Sequence, residues 1–222
     1  MRWLLAVPAL LLVAPAVAAP GGPTVAEVDR MSRPSDNIVE DVTATASTTL
    51  CEKKPKLCHG PEALLDYKED TAWCEGLPGD GTGATITLTL AKPQKLASVF
   101  VLPQFAKSFA LAEQNARVAS LEIATDEGVF TAKLDDMVPI VRKENTVKED
   151  EADCGEPCMS RDQRIQVIGN NITFGHFAQG DHGDFVEKPV TTSKVVLTLR
   201  GVYPGKKFKD TCISTIDLHR AP

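Results

Sequence analysis

The sequence predicts an all-β chain folded as an antiparallel β-sandwich, and three observations lead to this prediction. Apolar and polar residues alternate in short runs, most clearly over residues 85–90, where Ile86, Leu88 and Leu90 point to one face. These runs are rich in β-branched residues, which favour strands. Clusters of Gly, Pro and Asp separate them, and only residues 61–67 indicate a short helix, with a proline near its first turn. Many short strands joined by Gly and Pro turns are typical of a sandwich.

Composition excludes several classes of protein. The chain has 222 residues, with 24 basic and 30 acidic side chains, and its formal net charge is −6. A nucleic-acid-binding protein normally carries a basic surface, so we expect no nucleic-acid partner. Hydrophobic residues make up 43% of the chain, which is enough to build a core.

The amino-terminal residues have the pattern of a secretory signal peptide. Arg2 precedes an almost entirely apolar run over residues 4–17, and small residues follow, so cleavage is expected near Ala18 or Ala19. The run is shorter than the ~20 residues that a membrane span needs. We therefore predict a secreted or periplasmic protein without a membrane span, whose cysteines meet an oxidising compartment.

After the signal peptide over residues 1–18, we expect a flexible leader over residues 19–37 and one sandwich domain over residues 38–220. The leader is rich in Ala, Pro, Gly and Ser. Within the domain the strand candidates are residues 39–46, 85–90, 97–102, 116–124, 129–134, 138–141, 194–202 and 212–218.

Two segments interrupt the strand pattern. Residues 143–162 hold three basic and seven acidic side chains together with Cys154 and Cys158, and we interpret them as an exposed acidic insertion. Residues 169–192 contain four glycines and two histidines, which predicts a Gly-rich loop.

Three stretches in order carry a family resemblance. The first combines LLD at 64–66 with DTAWCEGLPGDGTG at 70–83, the second combines NARV at 115–118 with DEG at 126–128, and the third is VYPGKKFKDTCIS at 202–214. Together they resemble the discoidin-like (coagulation factor 5/8 type C-like) domain attached to streptococcal NAD-glycohydrolase, which serves there as a glycan-binding translocation domain. The resemblance covers about residues 39–218.

The resemblance implies a galactose-binding-like jelly-roll sandwich whose loops bind carbohydrate or another cell-surface ligand. It does not carry over NAD hydrolysis, because only the binding module is matched. Trp73 stands in the entry strand of this family, where burial as a core residue is favoured over stacking on a sugar.

The resemblance also implies one disulfide. It places the loop at Thr71 opposite Thr215 in an antiparallel pair, and the same register places Cys74 opposite Cys212. We therefore expect a Cys74–Cys212 bridge between the entry strand and the last strand.

The other four cysteines leave alternatives open. Local closure predicts Cys51–Cys58 and Cys154–Cys158, whereas the crossed pairing would tie the 51–58 loop to the acidic insertion. A zinc site at Cys154 and Cys158, with His176 or His182, is a further alternative, although secretion favours disulfides.

A structural Ca²⁺ is the one cofactor that the resemblance implies. Many such domains hold the ion between an Asp-Gly-Asp-x-Ser/Thr loop and a glutamate of the last strand. In the matching loop, Asp66 and the hydroxyl of Thr71 would be ligands together with loop carbonyls. Tyr67 stands in the usual place of the glycine and Thr215 in that of the glutamate, so the loop offers less negative charge.

No catalytic motif of the Gly-x-Ser-x-Gly or His-Glu-x-x-His type is present, and the four histidines are scattered. We therefore predict a non-catalytic module that binds a glycan or another cell-surface ligand. An envelope scaffold that captures a protein partner through the acidic insertion is the alternative, and a hydrolase using residues 181–184 is less favoured. The candidate ligand contacts are Phe105, Phe109, Phe177, His182 and Phe185.

Overall fold

The structure is a computed structural model that describes residues 24–25, 27–32, 36–53, 56–68, 70–136, 168–177 and 185–222. The signal peptide, the acidic insertion with Cys154 and Cys158, the strand candidate at 138–141 and His182 lie outside the described residues. The elements are β1 (Thr24–Val25), β2 (Glu27–Ser32), β3 (Val42–Ala46), β4 (Cys51–Lys53), β5 (Lys56–Cys58), a 3-10 helix (Pro61–Leu65), β6 (Trp73–Cys74), β7 (Thr85–Leu102), α1 (Phe109–Gln114), β8 (Arg117–Thr125), β9 (Gly128–Lys133), β10 (Ile168–Thr173), β11 (Gly175–Phe177), β12 (Phe185–Glu187), β13 (Val190–Tyr203), β14 (Cys212–Ile213) and β15 (Thr215–Arg220).

The long strand β7 organises the main sheet. Its first part pairs with β3 and β13, and its last part pairs with β10 and β15. The described sheet runs in the order β1-β9-β8-β13-β7-β10-β2, with β3 and β15 also on β7. All of its described pairings are antiparallel except that of β1 with β9. The described residues thus form mainly antiparallel sheet, and the predicted antiparallel all-β fold is confirmed.

The core follows the predicted alternation. Ile86 and Leu88 are fully buried and Leu90 nearly so, whereas the threonines between them are half-buried or exposed. Apolar side chains of β8 and β13 belong to the same buried cluster, among them Leu121, Ile123, Leu197 and Leu199. The described core therefore forms because each strand turns one row of its side chains inward.

The structure differs from the sequence prediction in several elements. Two strands, β1 and β2, occupy part of the segment predicted as a flexible leader, because they pair with β9 and β10. The predicted Gly-rich loop contains β10, β11 and β12, and β11 pairs with β12 as a short antiparallel ladder. The candidate strands at 85–90 and 97–102 are one strand, and the predicted short helix is a 3-10 helix ending at Leu65. Helix α1 was not predicted.

Two disulfides support the fold. Cys74 pairs with Cys212 in both the β6–β14 ladder and the disulfide, so this predicted bridge is confirmed. Cys51–Cys58 is confirmed as well and closes the β4–β5 hairpin. Thr215, however, lies opposite Leu102 rather than Thr71, because β15 leaves β6 and pairs with β7.

Among the described residues, none of the helices has the length and apolar character needed to cross a membrane.

Candidate functional site

One cleft collects residues from all three stretches that carry the family resemblance. Its volume is about 580 Å³, within the range of small-molecule sites. The first stretch contributes Gly79 and Asp80, and the second contributes Ala116. The third stretch contributes Val202, Pro204, Gly205, Phe208 and Lys209. The three stretches are far apart in sequence, so the fold itself brings them together at this place.

The first wall of the cleft is the loop of residues 75–83, which joins β6 to β7. Gly81 has a φ of 79°, and a Cβ at this position would collide with the side chain of Glu75. Only glycine combines that backbone with so close an approach. The loop therefore turns tightly over Glu75 and presents Gly79 and Asp80 to the cleft.

The second wall is the segment of residues 202–211, and α1 holds it in place. The backbone N–H groups of Lys207 and Phe208 donate to the carbonyl of Gln114, at 3.1 and 2.8 Å, and that of Lys206 donates to the carbonyl of Glu113. These are the last carbonyls of α1, which have no partner within the helix. Gly205 permits the contact, since a Cβ there would meet the same carbonyl of Gln114.

Arg117 forms hydrogen bonds with the same end of α1. Its guanidinium donates to the carbonyls of Ala112 and Asn115, and it forms a two-point ion pair with Asp136, the shorter contact being 2.8 Å. A buried arginine with this many partners is rigid. Arg117 thus holds the end of α1, and α1 in turn holds the second wall.

Asp80 and Lys209 both line the cleft and carry opposite charges. The backbone N–H of Thr82 donates to the Asp80 carboxylate at 3.0 Å, and together with the Thr82 hydroxyl it lowers the pKa of Asp80. The charge of Lys209 lowers that pKa further. Asp80 is therefore ionised at neutral pH and remains an acceptor, while the lysine ammonium is a donor.

Phe208 is the aromatic ring of the cleft. It is 36% exposed, and the ammonium of Lys207 lies 4.8 Å from its ring centroid. A cation over an aromatic face is attracted by the ring quadrupole. The cleft thus combines an aromatic ring, a hydrogen-bonded carboxylate and a lysine ammonium.

Two of the predicted ligand contacts, Phe105 and Phe185, have side chains in the described part of the chain. Phe105 is half-buried against the cluster of Ala72, Cys74 and Cys212, and its ring meets His59 edge to face at 5.7 Å. Phe185 packs over Gly175, where a Cβ would collide with its ring. Neither lines the cleft. Phe109 begins α1 and Phe177 ends β11, but their side chains and His182 lie outside the described part of the chain.

Trp73 is a core residue. Its side chain is fully buried, and its indole N–H donates to the carbonyl of Thr48 at 2.9 Å. Because the ring is buried, it is not accessible to a ligand, and the core interpretation of Trp73 is confirmed.

The loop predicted to hold Ca²⁺ is closed by its own hydrogen bonds. The hydroxyl of Thr71 lies 3.0 and 2.8 Å from the two carboxylate oxygens of Asp66, and the N–H of Lys68 donates to one of them. Tyr67 has a φ of 60°, the left-handed backbone for which the family loop uses glycine. No group of three or more His, Cys, Asp or Glu side chains within the described ranges could hold a metal ion. These hydrogen bonds join Asp66 and Thr71 to each other, and this set alone supplies fewer than the six to eight oxygen ligands that Ca²⁺ takes.

We expect Ca²⁺ to leave the thermal stability of the protein unchanged. A ligand that binds only the folded state stabilises it by RT ln(1 + c/Kd) at free ligand concentration c, so a bound structural ion would raise the unfolding temperature measurably. The measurement is thermal unfolding of EDTA-treated protein with and without millimolar Ca²⁺, with Mg²⁺ as the control. A rise specific to Ca²⁺ that disappears in Asp66→Asn would show that the loop does bind the ion.

Comparisons with known proteins agree with the fold. A family model described as the NAD glycohydrolase translocation F5/8 type C domain matches residues 35–219. Among curated proteins, no sequence matches the chain.

Several solved structures are similar to the chain. The CBM32-3 module from a family 31 glycoside hydrolase of Clostridium perfringens is 15% identical, with a TM-score of 0.52, over 84% of this chain and 97% of that one. The CBM32-1 and CBM32-2 domains of Clostridium perfringens ZmpB, in complex with GalNAc, are 8% identical, with a TM-score of 0.50, over 92% of this chain and 42% of that one. The arabinofuranosyltransferase AftD of mycobacteria matches 89% of this chain at 17% identity and a TM-score of 0.49, and this chain spans only 11% of it. At these identities the likeness to the two CBM32 structures shows the fold alone, a discoidin-like sandwich.

Proposed function

This chain belongs to the NAD glycohydrolase translocation F5/8 type C domain family, and from this membership we propose that it is an exported, non-catalytic module that binds carbohydrate. The ligand site is the cleft between residues 75–83 and 202–211. Export is supported by the two disulfides, which persist in oxidising compartments, and by the apolar amino-terminal sequence.

The observation that carries the proposal is the composition of the cleft. Asp80 is a fixed acceptor for sugar hydroxyl protons, and Lys209 is a donor to sugar oxygens. Phe208 offers a ring edge or face to the C–H groups of a pyranose. A charged acceptor, a charged donor and an aromatic surface within one cleft match the alternation of hydroxyl and C–H groups on a sugar.

Asp80 is the carboxylate of the cleft lining, and a single one supports a binding role rather than hydrolysis. Two-carboxylate hydrolases need both groups in contact with the substrate. Asp80 lines the cleft, whereas Glu75 is fully buried and its two oxygens face the backbone N–H groups of Leu77 and Thr211. A group enclosed in this way cannot reach a glycosidic bond.

The test is a glycan array followed by calorimetry with the captured glycans, using cleft variants and a surface control. We expect Asp80→Ala and Lys209→Ala each to weaken binding by about tenfold or more, since each removes a charge-assisted hydrogen bond. Phe208→Ala should weaken binding by about threefold to tenfold, through loss of ring contact. Lys92→Ala, an exposed residue of β7 away from the cleft, should bind like the wild type.

Two outcomes would count against the proposal. If the wild-type protein captures no glycan, the module does not bind carbohydrate. If glycans bind and all three cleft variants keep full affinity, the carbohydrate site lies elsewhere on the domain.

A further inference from the structure

Glu75 is a buried carboxylate at the junction of the two walls of the cleft. Glu75 is fully buried although its side chain is ionisable. One carboxylate oxygen, Oε2, accepts the backbone N–H of Leu77 at 2.6 Å, within the first wall. The other oxygen, Oε1, faces the backbone N–H of Thr211 at 3.4 Å, at the end of the second wall. A fully buried ionisable group needs partners of this kind, since its desolvation is otherwise unfavourable.

Two further hydrogen bonds join the same residues. The backbone N–H of Glu75 donates to the carbonyl of Thr211 at 3.0 Å, and the hydroxyl of Thr211 donates to the carbonyl of Asp80 at 2.7 Å. The tight turn at Gly81 rests on the Glu75 side chain. Glu75 and Thr211 thus connect the loop that carries Asp80 with the segment that carries Lys209.

The chemistry of this junction selects a carboxylate. Two separate N–H groups approach two separate oxygens, and a carboxylate accepts at both. A glutamine side chain accepts at one atom only and would turn an NH₂ group toward the other N–H. Protonated Glu75 has the same defect, because one oxygen then carries a proton.

The charged groups around Glu75 act on its proton affinity. Burial raises the pKa of Glu75 above the ordinary value, the two backbone hydrogen bonds oppose this rise, and the negative charges of Asp210 and Asp80 add to it. The positive charge of Lys209 acts on the Asp80 carboxylate and lowers its pKa. Glu75 should therefore become protonated at a higher pH than exposed glutamates, and the junction should lose an acceptor as the pH falls through that range.

We propose that Glu75 is a positioning residue of the cleft, whose buried carboxylate holds the wall bearing Gly79 and Asp80 against the wall bearing Phe208 and Lys209. The effect on ligand affinity rests on the proposed carbohydrate function, whereas the placement of the walls does not. The proposal therefore has a readout that needs no ligand.

The experiment follows the backbone amides by NMR between neutral and mildly acidic pH, in the wild type, in Glu75→Gln and in the control Glu127→Gln. Glu127 is exposed in the turn between β8 and β9, so its variant removes the same charge away from the cleft. We expect the Leu77 and Thr211 amides of the wild type and of Glu127→Gln to shift with one common midpoint, above that of exposed glutamates. In Glu75→Gln these two shifts should vanish, and the Gly79 and Asp80 amides should move from their wild-type positions.

The binding readout uses the glycans captured by the array. Glu75→Gln should weaken their binding about tenfold at neutral pH, and Glu127→Gln should bind like the wild type. Leu77 and Thr211 amides that do not titrate in the wild type, or that titrate alike in Glu75→Gln, would overturn the positioning role. Full glycan affinity in Glu75→Gln would also overturn it. If the wild type captures no glycan, the proposed function fails, but the amide titration still tests the role of Glu75. The titration of the wild-type protein can be interpreted even if Glu75→Gln does not fold.

Discussion

Replacing both Cys74 and Cys212 by alanine should lower the free energy of unfolding by about 5 kcal/mol. The bridge closes a loop with a sequence separation of 138 residues, and the chain-entropy model gives about this value for a loop of that size. Both cysteines are buried next to the second wall of the cleft, so removal of the bridge should also disturb the cleft. The measurement is denaturant unfolding of the double variant against the wild type under oxidising conditions.

The matched control is the double replacement of Cys51 and Cys58. This bridge has a sequence separation of only 7 and lies on an exposed hairpin, so the same model gives about 2.5 kcal/mol. The order of the two effects is the prediction. Equal losses, or a larger loss for the hairpin bridge, would show that the long-range bridge does not constrain the unfolded chain as proposed.

Replacing Trp73 by alanine should lower the free energy of unfolding by about 3–5 kcal/mol, because it empties a fully buried site of the core. The carbonyl of Thr48 would also lose its indole donor. Trp73→Phe keeps much of the apolar volume and should be less destabilising. Unfolding curves measure both effects.

The same two variants separate a core role from a ligand role. Trp73→Phe should keep the glycan affinity of the wild type, since the ring does not line the cleft. A stable Trp73→Phe protein that had lost glycan binding would contradict the core assignment.

The strand pattern could be predicted because it is a local property of the sequence. Ile86, Leu88 and Leu90 alternate with threonines, and burying one row of side chains produces this pattern wherever the strand lies. The merging of two candidate strands into β7 could not be predicted in the same way. It depends on pairing with β10 and β15, whose residues lie far away in sequence.

Helix α1 has a sequence signal at its amino-terminal end. Ser108 accepts the N–H of Leu111 with its hydroxyl, as expected of an N-cap residue. The helix has only six residues, and its carboxyl end is stabilised by N–H groups of residues 206–208. A helix this short depends on such tertiary contacts, which propensity alone does not reveal.

The cleft was only partly visible in the sequence. The family resemblance covers the segment around Phe208, whereas the predicted aromatic contacts lie in other parts of the sequence. The signal was an aromatic residue between lysines, just after a Pro-Gly turn. The place of this aromatic residue in a cleft depends on the hydrogen bond from Thr211 to Asp80, which joins residues more than a hundred positions apart.

We propose above that carbohydrate binds in the cleft between residues 75–83 and 202–211. The most direct measurement is an NMR titration of the isotopically labelled protein with a glycan captured by the array, mapped onto the backbone amides. We predict that the largest shifts fall on Gly79, Asp80, Gly205, Phe208 and Lys209. Shifts that leave these amides unchanged and fall instead on the β11–β12 hairpin or around Phe105 would contradict the claim.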